Sequence, residues 1–249
     1  MIKHLSASSI GMFQRCQKQW MFRYMEGIKS PPNVAMAKGT GVHKSAELNY
    51  LNVIEGKDPL SVDEVQQNAS EAFTEATEDI EVWEQNKGEA LDQTVTAAEK
   101  YHNVYGTTVK PIAAEQWHEI THPDWIYKVV GIIDLETELE IPDIKVTGKK
   151  KPASEVEKSL AGRIYRKMVP GKEFIFHNVI LGKNAIRTET IKADFISGND
   201  DKIDGYITAM QFSIAQSMNT GVFAPAAADS WGCNSRFCGY YNRCEHGGK

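Results

Sequence analysis

The sequence predicts an α/β protein built around a mixed central sheet. Three observations predict it. Apolar residues recur at helical spacing at both ends of the chain, short segments rich in Val, Ile and aromatics fill its middle, and no internal repeat is evident. With 249 residues and 41% hydrophobic content, the chain can bury a substantial core as one large domain or one domain with an insertion.

The elements follow in order. Serines able to cap a helix open residues 6–27, where Ile10, Phe13, Trp20 and Tyr24 form an apolar stripe that Pro31-Pro32 ends. A second helix, interrupted by Gly39 and Gly41, is expected over residues 34–56. Ser61 and Glu64 stand at capping-box spacing before a third, and a fourth is expected over Leu91 to Tyr105. Strands are then expected over residues 113–122, 125–137 and 139–148. A helix over Ala153 to Met168, strands over 173–182 and 185–193, and a helix over 200–221 complete the body.

No segment approaches the roughly 20 continuous apolar residues needed to span a bilayer, and the N-terminus has no apolar run. A soluble, cytoplasmic protein with no membrane partner is expected. The net charge of −5 argues mildly against a nucleic-acid partner, but it hides an uneven distribution. Ten acids face a single Lys87 between Ser61 and Asp92, whereas nine Lys and Arg face only Glu155 and Glu157 between Lys145 and Lys172. Each run is by itself compatible with a solvated face.

The chemistry is concentrated in "GIIDLETELEIPDIKV". Asp134 ends one expected strand, and Asp143 and Lys145, two residues apart on the next, leave the same face. Carboxylates there suit a hard divalent cation, Mg²⁺ or Mn²⁺, with the lysine beside a metal-bound water. Pro142 fits an edge or a bulge where side chains are re-aimed. The triplet alone fits a surface strand equally. His43 and Glu47, four apart, share a helix face and could add a ligand, although a lone histidine there also fits a core or capping role.

Cys16 is far from Cys233, Cys238 and Cys244 in sequence. Two disulfides, a zinc site and an iron-sulfur cluster are all open readings. A reducing compartment disfavours disulfides, and gaps of four and five residues are not the tight pairs usual for structural zinc. A [4Fe-4S] cube takes four thiolates at irregular spacing.

"LSASSIGMFQRCQKQWMFRY", "GTGVHKSAE", "GIIDLE", "PDIK" and "CNSRFCGYYNRC", in this order, resemble the RecB-like branch of the PD-(D/E)XK nuclease superfamily, which includes stand-alone phage exonucleases, CRISPR-associated RecB-like nucleases and AddAB nuclease domains. The resemblance covers nearly the whole chain and is weakest from about Gly56 to Gly106. It implies a restriction-endonuclease-like core at about 111–195 within one domain spanning 1–249, a helical insertion at about 56–106, and an iron-sulfur module at 231–249 joined to Cys16.

In such a family His43, Asp134 and Asp143 would be metal ligands, Ile144 would lend its backbone carbonyl, Lys145 would act on water, and Glu47 would be an outer ligand. Cys16, Cys233, Cys238 and Cys244 would hold the [4Fe-4S] cluster, with Zn²⁺ the alternative. Trp231, Phe237, Tyr240 and Tyr241 would shield it, or stack on single-stranded bases. The helix after the D-x-K strand usually carries Gln-x-x-x-Tyr; Tyr165 is in place, but Ala161 stands where glutamine is expected. Arg163, Arg166 and Lys167 share that helix with Tyr165 and would form a phosphate-contacting face. The implied activity is exonucleolytic cleavage at DNA ends, single-stranded ends among them, in recombination, repair or phage DNA metabolism, in a bacterial or phage-infected cell, alongside recombination or replication proteins. The alternative is an iron-sulfur-stabilised DNA-binding or scaffolding subunit with weak or no cleavage.

Overall fold

A computed structural model describes residues 2–80, 83–183, 185–193, 201–227, 229–235 and 237–247. The chain divides into two compact units. One comprises Met1–Pro31, His118–Gly131 and Ile196–Lys249; the other comprises Pro32–Trp117 and Ile132–Phe195. Among the described residues the strands form two three-stranded sheets, ordered β1-β3-β2 and β4-β5-β6, rather than one central sheet.

In the first unit, β1 (His4–Ser6) pairs in parallel with the start of β3 (Lys128–Glu136), Leu5 opposite Val129. The expected N-terminal helix begins where the serines predict, with Ser6 capping α1 (Ala7–Arg15) in a reciprocal box with Ser9. It then breaks. Cys16 is extended (φ −164°, ψ 109°), so α2 (Gln17–Trp20) starts afresh and runs into a π turn at Met21–Met25. Trp20 is buried against Phe13 and Phe223 at ring separations of 5.4 and 6.1 Å. On α8 (Asp201–Thr220), buried Gln211 accepts from the Tyr127 N–H at 2.7 Å and donates to the Tyr127 carbonyl at 2.9 Å, holding the chain as it enters β3.

In the second unit, α3 (Val34–Ile54), α4 (Val62–Ala76) and α5 (Lys87–Tyr101) share one core with β3, β4 and β5 through Val42, Ala46, Tyr50, Val65, Leu135, Ile144 and Val179. Helix α3 runs unbroken through Gly39 and Gly41. A methyl group at Gly41 would lie 2.5 Å from Thr94 Cγ2 and 2.9 Å from the Ala69 carbonyl, so close approach of three helices requires glycine there. Ser61 and Glu64 form the expected capping box. Helix α5 begins four residues before Leu91 and continues as a π turn to Gly106. The expected helix over 153–168 is two, α6 (Ala153–Glu157) and α7 (Leu160–Met168), because Ser159 caps the second by accepting from the Gly162 N–H.

Strand β4 (Glu140–Thr147) pairs in parallel with β5 (Glu173–Leu181), which pairs antiparallel with β6 (Ile186–Ile191). The division into two sheets falls between β3 and β4 and has a local cause. Backbone groups two residues apart on a strand face the same edge. On that edge of β4 the Glu140 N–H goes to Thr137 Oγ1 (2.9 Å), Pro142 has no N–H, and the Ile144 N–H goes to Asp134 Oδ2 (2.9 Å). Side chains take the donors that a ladder to β3 would use, and a carboxylate needed elsewhere is oriented by backbone.

Candidate active site

The acidic groups converge within the second unit. His43 comes from α3, Asp134 from β3 and Glu115 from β2 (Ala113–Ile120), and one ligand atom of each lies within 4.8 Å of the others. His43 Nδ1 and Asp134 Oδ2 are 3.5 Å apart. Glu115 was not foreseen from sequence. It is held at φ 48°, a left-handed conformation uncommon for a non-glycine residue, and such backbone clusters at functional sites. Burial, with the charges of Asp134 and Glu47 added, pushes its carboxyl up to about 7, while Lys44 opposes the shift.

Asp143 and Lys145 point the same way from β4 and form an ion pair. Asp143 is only 6% exposed, and its buried Oδ2 is the oxygen that meets the lysine ammonium. Burial raises the Asp143 pKa; Lys145 opposes this and Asp134 adds to it. Burial pulls the Lys145 ammonium down, but the Asp143 carboxylate more than offsets that, so its pKa is raised. The expected set is thus brought together with a different grouping: His43, Glu115 and Asp134 make the tight triad, while Asp143 is turned to Lys145 within electrostatic range of both Asp134 and His43. Glu47 lies one turn beyond His43 and is tied to Lys44 at 2.8 Å. An open cleft of about 500 Å³ passes over the triad, lined by Met36, Gly39, Thr40, Lys44 and Glu47 besides the three ligands.

The residues fit a divalent cation. Three hard or borderline donors converge, and beside them the buried Asp143 carboxylate, already paired with Lys145, adds a further oxygen donor. The signal that could have revealed Glu115 in the sequence is faint, since "AAEQW" carries no spacing pattern.

On α7, Tyr165 packs edge-on against Phe174 at 6.2 Å, and burial with the nearby Asp143, Asp134 and Glu115 charges raises its phenol pKa. Ala161 lies one turn before it, half-buried. Arg163 donates to the Glu157 carbonyl at 3.3 Å, and Arg166 and Lys167 occupy the last turn. Much of the basic block is already paired: Lys150 with Glu189, Lys151 with Glu155 and Lys172 with Glu136.

In the first unit, Cys16, Cys233, Cys238 and Cys244 are free thiols lining one small cavity with Lys18, Gln19, Tyr240 and Tyr241. Gln19 Nε2 donates to Cys238 Sγ at 3.1 Å. Burial, then the Cys238, Cys16 and Cys244 thiols, raise the Cys233 pKa. Tyr240 is buried, but Trp231 and Phe237, expected as a shield, are 73% and 57% exposed and stack edge-on with each other at 5.4 Å. Among the described residues no helix is long and apolar enough to cross a membrane.

A buried acid-lysine pair lies beside a His-Glu-Asp group that could hold a cation, on an α/β core. The sequence profile of the PD-(D/E)XK nuclease superfamily matches residues 4–245, and the chain belongs to that superfamily. Among solved structures, a conjectural exonuclease from Eubacterium rectale aligns with a TM-score of 0.60 at 12% identity, over 93% of this chain and 87% of that one, and shares its fold. The structure of SSO0001 aligns with a TM-score of 0.48 at 10% identity, over 100% of this chain and 89% of that one. No curated protein matches the chain.

Proposed function

We propose that the chain is a RecB-like nuclease that hydrolyses phosphodiester bonds at DNA ends, using Mg²⁺ or Mn²⁺, in recombination, repair or phage DNA metabolism. The convergence of His43, Glu115 and Asp134 beside Asp143 and Lys145 carries this reading. Bound at these residues, the cation would neutralise charge on the scissile phosphate and lower the pKa of its water. His43, Asp134 and Glu115 would hold it, with Asp143 Oδ2 and the Ile144 carbonyl completing the set. The N–H and C=O of one strand residue share an edge, so the carbonyl faces the side where the Ile144 N–H meets Asp134. Lys145, anchored by Asp143, would orient the attacking water or the phosphate. Glu47, held by Lys44, would act from outside the ligand set, and Tyr165, Arg163, Arg166 and Lys167 would steady the substrate strand. The exonuclease description of the Eubacterium rectale protein supports action at ends.

The four cysteines would bind a [4Fe-4S] cluster whose role is to fasten the first unit; their gathering around one cavity supports this. The whole chain would then act as one nuclease domain. Ala161, where the resemblance implies glutamine, favours a second reading: a DNA-binding subunit that cleaves weakly.

End-labelled DNA incubated with Mn²⁺ separates these readings. Wild type should degrade it, and Asp143→Ala and Lys145→Ala should each lose on the order of 10²-fold or more in rate. Equal degradation by all three, or none by wild type, overturns the enzyme reading. Iron and acid-labile sulfide in anaerobically purified protein test the cluster; zinc without sulfide would refute it.

A further inference from the structure

Helix α3 carries two glycines whose surroundings differ. At Gly41 a side chain has no room. At Gly39 a Cβ would meet nothing within 4 Å, the backbone is ordinary helix, and the residue faces the cleft over the triad. A glycine inside a helix costs stability relative to alanine, and here neither packing nor backbone conformation requires it. Around it, Met36 and His43, three and four residues away, share its helix face, and the adjacent Thr40 also lines the cleft. Met36 is 58% exposed, and the Thr40 hydroxyl is turned back to the Met36 carbonyl at 3.2 Å. The result is one position of bare backbone flanked by an apolar side chain, about 6 Å along the axis from the histidine of the triad.

We infer that the nucleic-acid strand to be cut lies directly on the backbone of α3 at Gly39, with Met36 against a sugar or base face, and that the absent side chain is a requirement of substrate seating. This rests on the nuclease reading. A strand whose phosphate reaches His43, Glu115 and Asp134 extends its next nucleotide across the cleft floor, and glycine allows the closest approach to that floor. Specificity follows from the same geometry: close backbone contact favours a strand freed from its complement, since a base pair on it would have to clear the α3 surface.

The test uses full-length Gly39→Ala, Gly39→Leu and Met36→Ala. Thermal melting, Mn²⁺ affinity, fluorescence anisotropy of end-labelled single-stranded DNA with Ca²⁺, and single-turnover cleavage with Mn²⁺ are measured for each. Gly39→Ala should melt about 2–4 °C above wild type. Both Gly39 variants should keep wild-type Mn²⁺ affinity, while DNA affinity falls at least fivefold for alanine and further for leucine, with cleavage falling in parallel. Met36→Ala should weaken DNA binding a few-fold and leave Mn²⁺ affinity alone. Gly39→Leu that binds and cuts DNA like wild type overturns the inference while leaving the nuclease standing. A Gly39→Leu protein that fails to fold overturns it too, by revealing a packing role. Wild type that neither binds nor cuts DNA overturns the nuclease reading and the inference together.

Discussion

His177 shows how one buried side chain sets a pH limit. Its ring stacks on Tyr105 at 3.9 Å, and its Nδ1 meets the Tyr101 hydroxyl at 3.2 Å, which in turn meets Tyr50 at 3.1 Å. Burial, with Lys192 adding to it, pushes the imidazole down to about 4. The unfolded chain therefore binds the proton first, and stability present above pH 6.5 is lost as pH falls toward 4. The loss should reach about 3 kcal/mol and shrink in His177→Gln, measured by denaturant unfolding across that window; an equal slope in both proteins would assign the acid sensitivity elsewhere. At the same scale, Glu115→Gln should weaken Mn²⁺ binding at least about tenfold by calorimetry. The strand period placed Asp143 and Lys145 on one face, while His43 and Asp134 joined them as candidates through the order of motifs that the resemblance supplied. Glu115 was not legible, because a positive φ sets its aim and no residue pattern encodes that.

Elements were legible by type and less so by extent. Alternation and β-branched content marked β2 to β6 but not the three-residue β1, too short to show a period, and capping residues marked the starts of α1 and α4. The expected single sheet fails because hydrogen bonds from β4 to side chains replace a ladder, an exchange that depends on three-dimensional proximity of Thr137 and Asp134. The helix break at Cys16 likewise answers to distant residues, turning its sulfur toward the cavity shared with the C-terminal cysteines. Two substitutions probe helices directly. Gly41→Ala should cost about 1–3 kcal/mol by thermal unfolding, from overpacking against α4 and α5. Ala161→Gln on α7 should strengthen DNA binding or cleavage; unchanged or weaker activity would separate this helix from the glutamine-bearing helix of related nucleases.

Across the whole molecule, the first unit is assembled from three separate stretches of chain. Joining Cys16 to Cys244 through a cluster would close most of the chain into one loop, a restriction on the unfolded state worth several kcal/mol. Cys16→Ser should therefore lower the melting temperature and speed proteolysis within residues 1–31 and 196–249, with slower cutting between 32 and 117. Uniform protection after loss of the cysteine would mean that the cluster contributes little to folding.

The Ile144 amide proton is bonded to an oxygen of the very carboxylate proposed to take the cation. Its nuclear resonance should therefore register ion arrival without any label. A Mg²⁺ titration that moves this peak, and leaves the amides of α8 in place, would locate occupancy from inside the backbone.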